Sequence, residues 1–470
     1  MSAFPSENGS MSHGLKPRHV RMLSIAGVIG AGLFVGSGHA IAAAGPAVLL
    51  AYLAAGALVV VIMRMLGEMA VDSPDTGSFS TYADKALGRW AGFTIGWLYW
   101  WFWVLVIPLE ANAAATILNA WFPQIAIWMF TLAITLVLTG TNLLSVKNYG
   151  EFEFWFALIK VIAIVAFLVV TALAVTGMLP HSGVSGVSHL WDTHGFMPNG
   201  MGAVMAAILT TMFSFMGTEI VTIAAAESKN PGTEVTKATN SVIWRIALFY
   251  LLSIFFVVAL VPWNTPALAE VGSYQTVLQA MNIPHARLIV DLVVLVAVCS
   301  CLNSALYTSS RMLYSLARRK DAPRAAGQTD AKGTPRVAVL LSTAAAFITV
   351  IANYLAPAAV FEFLLASSGA VALLVYLVIA ASHLVMRRQR EARGEEITYR
   401  VWLFPGLTWL TIGFIITILT VMIFSVEHRA EMIATAVLAL TVVIIGRIVH
   451  SRQTVAKHTR LKPLHSSDHL

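Results

Sequence analysis

Long apolar stretches separated by short polar ones run through almost the whole chain. A helix of about 20 apolar residues crosses a bilayer, and the sequence contains about twelve stretches of this kind. The pattern therefore predicts an all-α polytopic membrane protein. The predicted spans cover residues 19–43, 46–70, 90–118, 125–144, 154–178, 200–226, 241–263, 288–317, 337–355, 359–386, 401–424 and 432–448.

The composition supports this interpretation and argues against a soluble enzyme. Hydrophobic residues make up 58% of the 470 residues and charged residues only 11%, whereas soluble chains carry about 25% charged residues. Residues 1–18 are polar and contain no alanine-rich cleavage site, so no cleavable signal peptide is expected. We expect the first span itself to direct membrane insertion, with residues 1–18 as a cytoplasmic segment.

The distribution of Lys and Arg sets the expected orientation. These residues crowd into both terminal segments and alternate loops, whereas the remaining loops contain only Arg287 and Arg429. Because cytoplasmic loops of membrane proteins are enriched in Lys and Arg, both termini are expected in the cytoplasm, which requires an even number of spans. The net charge of +7 is therefore interpreted as a result of topology and not as a sign of nucleic-acid binding.

The glycine-rich stretch S-I-A-G-V-I-G-A-G-L-F-V-G-S-G at residues 24–38 lies inside the first span. Each glycine in a helix interior costs about 1 kcal/mol relative to alanine, so we predict that the helix opens here. Freed N–H groups at a helix start attract anions. The break is therefore expected to bind a substrate carboxylate through Ile29, Gly30, Ala31 and Gly32. The alternative is a glycine-lined face for close helix packing.

A second break is predicted in span six at F-S-F-M-G-T-E, residues 213–219, about five spans after the first. Transporters built from inverted repeats place paired broken helices in corresponding positions, with the site between them. Freed carbonyls here are expected to bind a substrate ammonium, and Glu219 to accept hydrogen bonds that fix the break. The substrate-binding residues predicted here are Phe213, Ser214, Phe215 and Gly217. The alternatives are ordinary core aromatics and a glycine that only thins a packing surface.

Ionisable residues inside spans are costly and usually functional. Lys160 lies in span five, where a lysine shielded from water can exchange a proton; alternatively, it snorkels to the cytoplasmic surface. Glu110 lies in span three, where it could bind a substrate ammonium, relay a proton or make a structural hydrogen bond. Ser300 and Asn303 form a polar face of span eight that could approach Lys160 and take part in proton coupling. Glu153 is interpreted as a gate or loop-anchoring charge near a cytoplasmic end of its span.

Five motifs resemble those of the amino acid permeases of the amino acid–polyamine–organocation superfamily. They are G-V-I-G-A-G-L-F-V-G-S-G at 27–38, P-D-T-G-S-F-S-T-Y-A at 74–83, K-N-Y-G-E-F-E-F-W at 147–155, F-S-F-M-G-T-E at 213–219 and N-S-A-L-Y-T-S-S-R at 303–311. The resemblance implies a leucine-transporter-like fold. It divides the chain into a five-helix repeat at 19–178, a second repeat at 200–386, two further helices at 401–450 and a cytoplasmic tail at 451–470.

The resemblance also implies proton-coupled amino acid uptake across a bacterial inner membrane. No catalytic residue, metal, cofactor or obligate protein partner is expected. The stretch W-L-Y-W-W-F-W-V-L-V-I-P-L-E-A-N at 97–112 is similar to members that carry γ-aminobutyrate, so this or a close ω-amino acid is the expected substrate. Members for proline, aromatic or basic amino acids share the other motifs, and an antiporter of the same fold is a further alternative. Many members have Thr where this chain has Ala31, which leaves the backbone alone to bind the carboxylate.

Overall fold

The computed structural model describes residues 18–19, 22, 28–75, 77–144, 146–192, 194–226, 230–355, 357–425 and 429–460. The start of the glycine-rich stretch, including Gly27, lies outside these residues, as do residues 1–17 and 461–470. The described residues form helices and connecting segments without any strand. The predicted all-α fold class is therefore confirmed.

We number the α-helices in chain order. Those of the first half are α1 (Ser37–Ala44), α2 (Val48–Asp72), α3 (Ser78–Leu87), α4 (Arg89–Trp121), α5 (Ile127–Asn142) and α6 (Val146–Val175). The next group comprises α7 (Gly200–Phe215), α8 (Ile220–Ala226), α9 (Pro231–Arg245), α10 (Leu252–Leu260), α11 (Ala267–Glu270), α12 (Ser273–Ala280) and α13 (Ala286–Arg318). The last four are α14 (Arg336–Leu355), α15 (Pro357–Ala392), α16 (Gly406–Phe424) and α17 (Arg429–Arg460). Two π-helical turns precede α1 and α10, at Gly32–Gly36 and Ile246–Leu251.

The apolar helices coincide with the predicted spans. Among the described residues, nine helical segments are long and apolar enough to cross a membrane, and the first of them, Gly32–Val71, covers parts of predicted spans one and two. Two shorter apolar helices, Ile127–Asn142 and Arg336–Phe347, lie at predicted spans four and nine. The number of twelve spans stays a prediction.

Two helices begin earlier than the apolar pattern predicted. Helix α6 begins at Val146 instead of residue 154, because polar residues such as Glu153 belong to its first turns and are buried there. Helix α9 begins at Pro231 instead of residue 241. Proline is well tolerated at the first helical position, where its missing N–H would have no partner in any case.

Helix α6 shows how the bundle separates lipid-facing from buried positions. Ile159, Ile162, Val165 and Val169 recur at helical spacing and are 42–59% exposed, whereas Lys160 is fully buried on the opposite side. Exposed apolar side chains at this spacing form a stripe suited to lipid. The snorkelling alternative for Lys160 is therefore not what the structure shows, since its side chain points into the bundle.

The interior of the bundle is formed around α4 and α13, which make the most extensive helix–helix contact in the structure. Helix α4 contributes aromatic rings to this core, including Tyr99, Phe102 and Trp103, each at most 1% exposed. Both helices also contribute polar side chains, notably Glu110 and Asn303. Glu110 lies against the first broken helix, whereas Asn303 forms hydrogen bonds with α5 and α6.

Candidate functional site

The first span is interrupted where the glycine pattern predicted. Residues 28–30 are not helical, and the π-helical turn Gly32–Gly36 follows them. Two carbonyl groups freed by the break accept hydrogen bonds from distant helices. The Tyr250 hydroxyl donates to the Val28 carbonyl at 3.1 Å, and Lys160 Nζ donates to the Ile29 carbonyl at 2.8 Å. The break is therefore stabilised by side chains that the local sequence does not contain.

A carboxylate from α4 binds the N–H side of the same break. The Ala31 N–H lies 3.2 Å from Glu110 Oε1 and 3.1 Å from Glu110 Oε2. Glu110 is 1% exposed. A carboxylate thus lies where the sequence predicted an anion, but in this structure it belongs to the protein itself.

The sixth span is interrupted between α7 and α8. Met216 is extended, and Gly217 has a φ of +106°, a conformation that favours glycine. The Gly217 N–H lies 3.1 Å from both carboxylate oxygens of Glu219, and the Tyr99 hydroxyl donates to Glu219 Oε1 at 2.7 Å. Glu219 therefore caps this break from within it and is anchored to α4.

The two breaks lie against each other. A Cβ atom built on Gly32 would be 2.9 Å from Ser214 Cα and 3.1 Å from Phe213 Cδ1. A Cβ atom on Gly30 would be 2.6 Å from Glu110 Oε1 and 2.8 Å from Cys301 Cβ. Glycine at both positions therefore allows a close approach. The helix break and the glycine-lined packing face, which the sequence offered as alternatives, occur together here. Phe215, also predicted for the site, is fully buried and packs against Tyr250 with ring centroids 4.7 Å apart.

Glu153 of α6, for which the sequence predicted a structural role, connects α6 to the polar face of α13. Ser300 Oγ donates to Glu153 Oε1, and Asn303 Nδ2 donates to Glu153 Oε2 at 3.0 Å. Glu153 is fully buried, and the Lys160 ammonium attracts its carboxylate. The two residues are seven positions apart, about two helical turns, and therefore share a face of α6. Ser300 and Asn303 thus reach the vicinity of Lys160 by way of Glu153.

Two cavities border this region. A cavity of about 10 Å³ lies directly between the breaks and α9. A much larger one of about 520 Å³ begins at Phe34, one turn beyond the first break, and extends to Glu270, Arg287 and Asp291. Because it opens at the end of the bundle where α11 and α12 lie, it offers a path from that end towards the first break.

The opposite end of the bundle is closed by a buried ionic cluster. Glu68, near the end of α2, lies 2.9 Å from Arg387 and 3.3 Å from His383, both on α15. Its other carboxylate oxygen accepts the Val401 N–H at 2.7 Å. Arg64, one turn earlier, donates to the Arg400 carbonyl at 3.0 Å. These contacts join α2 to α15 and to the segment before α16.

The whole chain is similar to known permeases. The family model described as "Amino acid permease" matches residues 19–460. A Pseudomonas aeruginosa protein named "Probable GABA permease" is 68% identical over 95% of this chain and 94% of its own length. The Escherichia coli "Gamma-aminobutyric acid permease" is 67% identical over 94% of each chain. An aromatic amino acid transport protein of Corynebacterium glutamicum is 40% identical over 92% of this chain and 93% of its own length.

A solved structure shares the fold at low sequence identity. The crystal structure of the Eremococcus coleocola manganese transporter matches with a TM-score of 0.58 at 12% identity, over 95% of this chain and 97% of that one. At this identity the likeness concerns the fold alone.

Proposed function

The chain belongs to the amino acid permease family, and from this premise we propose that it is a proton-coupled symporter of γ-aminobutyrate or a close ω-amino acid. The observation that carries the substrate assignment is the identity of 67–68%, over nearly the full chain, with relatives named as γ-aminobutyrate permeases. The proposed location is a bacterial inner membrane, with both termini in the cytoplasm and lipid around the bundle.

The proposed binding site is the junction of the two breaks. A substrate carboxylate is assigned to the first break, at Ile29 to Gly32, and a substrate ammonium to the carbonyls of the second, from Phe213 to Gly217. The contact between Gly32 and Ser214 supports this pairing, because one small zwitterion can touch both breaks. Since Glu110 already binds the Ala31 N–H, the substrate either displaces Glu110 or binds beside it.

Proton coupling is assigned to Lys160. Its ammonium donates to the Ile29 carbonyl at 2.8 Å, so its protonation state acts directly on the first break. Loss of the proton removes the positive charge and weakens this hydrogen bond, since charge-assisted hydrogen bonds are roughly twice as strong as neutral ones. Ser300 and Asn303 take part by hydrogen bonding to Glu153, the carboxylate that Lys160 attracts.

Alternating access is proposed to rock spans one, two, six and seven against the rest. The large cavity supports an open path at one end, and the cluster around Glu68 and Arg387 supports a closed path at the other. Transport then requires the cluster to separate and the cavity to close. Because α2 belongs to the proposed moving bundle and α15 does not, the pair Glu68–Arg387 spans the boundary that must slide.

Uptake by purified protein in proteoliposomes tests this proposal. An inward proton gradient imposed on empty vesicles is expected to accumulate labelled γ-aminobutyrate above its equilibrium level, and a protonophore to abolish the accumulation. Uptake that needs an internal amino acid would instead identify an antiporter. Absence of counterflow would favour a channel. If unlabelled proline, aromatic or basic amino acids compete better than γ-aminobutyrate, the substrate assignment is wrong although the transport class stands.

A further inference from the structure

Arg245 is a buried cation that takes no part in the substrate-binding and proton-coupling contacts proposed above. It is the last residue of α9 and lies near the middle of the apolar segment Gly232–Leu260. Its residue exposure is 9%, and its Nε and Nη2 atoms are buried without a hydrogen-bond partner. Among the described residues, Arg245 makes no ion pair with any carboxylate.

An unpaired guanidinium at this depth is costly. Charged side chains at the centre of a membrane helix are rare because moving them out of water is unfavourable, and a buried charge left without its partner is strongly destabilising. Intramembrane charges are therefore usually paired with each other, with backbone carbonyls or with a ligand. Since the described part of the chain supplies no anion here, the missing partner is expected to be a bound one.

The surroundings of Arg245 connect it to the substrate site. The small cavity that it lines is also lined by Val28 and Ile29 of the first break and by Phe215 and Thr218 of the second. Arg245 is thus the cationic side chain in the cavity that borders both breaks. Lys160 and Glu110 act on the same first break, but neither lines this cavity.

The winding of the helix changes directly after Arg245. The π-helical turn Ile246–Leu251 begins directly after it, and Tyr250 in that turn donates to the Val28 carbonyl at 3.1 Å. Single π-helical turns occur frequently at functional sites. The cavity of about 10 Å³ has room for roughly one water molecule, so a substrate group reaches Arg245 only when this turn and the first break move apart.

We infer that Arg245 binds the carboxylate of the transported ω-amino acid at the side of the first break that faces α9, where Val28 and Ile29 line the same cavity; the inference rests on the proposed function. In γ-aminobutyrate three methylene groups separate the ammonium from the carboxylate, whereas one carbon does so in an α-amino acid. The two ends of an ω-amino acid therefore need partners that lie further apart. The Ala31 and Gly217 N–H groups are bound by Glu110 and Glu219, whereas Arg245 Nε and Nη2 have no hydrogen-bond partner and can match a carboxylate in two parallel hydrogen bonds.

Transport kinetics of Arg245→Gln and Arg245→Lys test the assignment. Arg245→Gln should raise the KM for γ-aminobutyrate about 10- to 100-fold, the range expected for a hydrogen bond to a charged group. Butyrate, which has only the carboxylate, should lose its inhibition of uptake, whereas 1-aminobutane, which has only the amine, should keep it. Arg245→Lys keeps the charge but not the paired geometry, and should fall between these limits.

The matched control is Lys237→Gln. Lys237 lies on the same helix and is exposed, and its substitution by Gln removes the same single positive charge. Its KM and inhibition profile should stay within about two-fold of wild type, as for other surface substitutions.

Thermal unfolding separates a ligand role from a structural one. If Arg245 has no anionic partner until a substrate carboxylate binds, Arg245→Gln removes an uncompensated charge from the ligand-free protein. The ligand-free variant should then melt at or above the wild-type temperature. The stabilisation that γ-aminobutyrate gives to wild type should disappear in the variant. A structural cation would show the reverse, with a lower melting temperature and a ligand-induced shift that persists.

Two results would overturn the inference. One is a wild-type KM and wild-type butyrate inhibition in Arg245→Gln. The other is stabilisation of wild type by chloride, absent in gluconate buffer and not displaced by γ-aminobutyrate, which would identify an inorganic anion as the partner. Failure of wild type to take up γ-aminobutyrate at all would refute the proposed function instead, and the kinetic experiment distinguishes these cases.

Discussion

Replacing Gly32 by alanine tests whether the two breaks touch. The added Cβ would lie 2.9 Å from Ser214 Cα and 3.1 Å from Phe213 Cδ1, whereas ordinary contacts begin at 3.4 Å. Because Ser214 Cα is a backbone atom, no side-chain rotation relieves the clash. The broken helices must therefore separate by about 0.5 Å, the difference between 3.4 and 2.9 Å.

The expected free-energy change follows from two opposing terms. Overpacking of this kind costs about 1–3 kcal/mol, and alanine recovers up to about 1 kcal/mol of helix propensity relative to glycine. With the midpoint of the overpacking range, about 2 kcal/mol, the net result should be a loss of about 1–2 kcal/mol and a melting temperature lower by a few degrees. A displacement of this size at a binding site should also raise the KM for substrate, by up to about 10-fold.

Gly413→Ala supplies the matched control. Gly413 lies in α16, and a Cβ atom there meets nothing within 4 Å. The same chemical change should leave uptake unaltered and stability equal to or slightly above wild type. Thermal unfolding of the purified variants and initial uptake rates in proteoliposomes measure both effects. Wild-type stability and KM in Gly32→Ala would show that the breaks do not meet at Gly32, and the proposed site between them would then be wrong.

Three further substitutions test other parts of the site. Lys160→Ala removes the donor to the Ile29 carbonyl and should abolish gradient-driven accumulation while counterflow persists; full accumulation would exclude Lys160 from proton coupling. Gly217→Ala forces a φ of +106° on an L-residue at a cost of about 1–2 kcal/mol, so the melting temperature should fall, and an unchanged value would contradict this backbone conformation. Glu68→Gln leaves Arg387 with the more exposed Glu391 as its ion-pair partner, and should cost less in thermal unfolding than the about 3–5 kcal/mol of a fully unpaired buried charge. The double variant with Arg387→Gln should recover part of this loss, and strictly additive effects would show that the pair is not coupled.

The sequence predicted the helices and both breaks because these features depend on local composition. Apolar length alone indicates a span, and glycine at positions 30, 32 and 217 weakens a helix whatever surrounds it. The partners of the breaks are not local. Ala31 and Glu110 are 79 positions apart, and Ile29 and Lys160 are 131 apart. Their meeting depends on how α4 and α6 rotate and pack, which hydropathy does not specify. The roles of Glu110 therefore stayed open between a substrate contact, a proton relay and a structural hydrogen bond.

From the sequence Glu153 is interpreted only as a gate or loop-anchoring charge and Arg245 is given no role, although the sequence carries a signal for each. Glu153 lies seven positions before Lys160, which on a helix places both on one face. Arg245 is the only charged residue of the predicted span 241–263, and a lone charge within a span indicates a functional site. What the sequence could not supply is the absence of an anionic neighbour for Arg245 among the described residues, which only the packed helices reveal.

The caps of the two breaks differ in a way that limits how the site can work. Glu219 is two positions from the Gly217 N–H that it binds and is also bound by Tyr99, so its departure would dismantle its own break. Glu110 comes from another helix, α4, so its carboxylate and the Ala31 N–H belong to separate segments of the chain. A proton gained by Glu110 would weaken the hydrogen bond from that N–H, and a proton lost by Lys160 would weaken the bond to the Ile29 carbonyl two residues earlier. Both changes loosen the first break and neither touches the second. On the proposed function, proton movement and substrate binding therefore meet at the first break, while the second break keeps its cap.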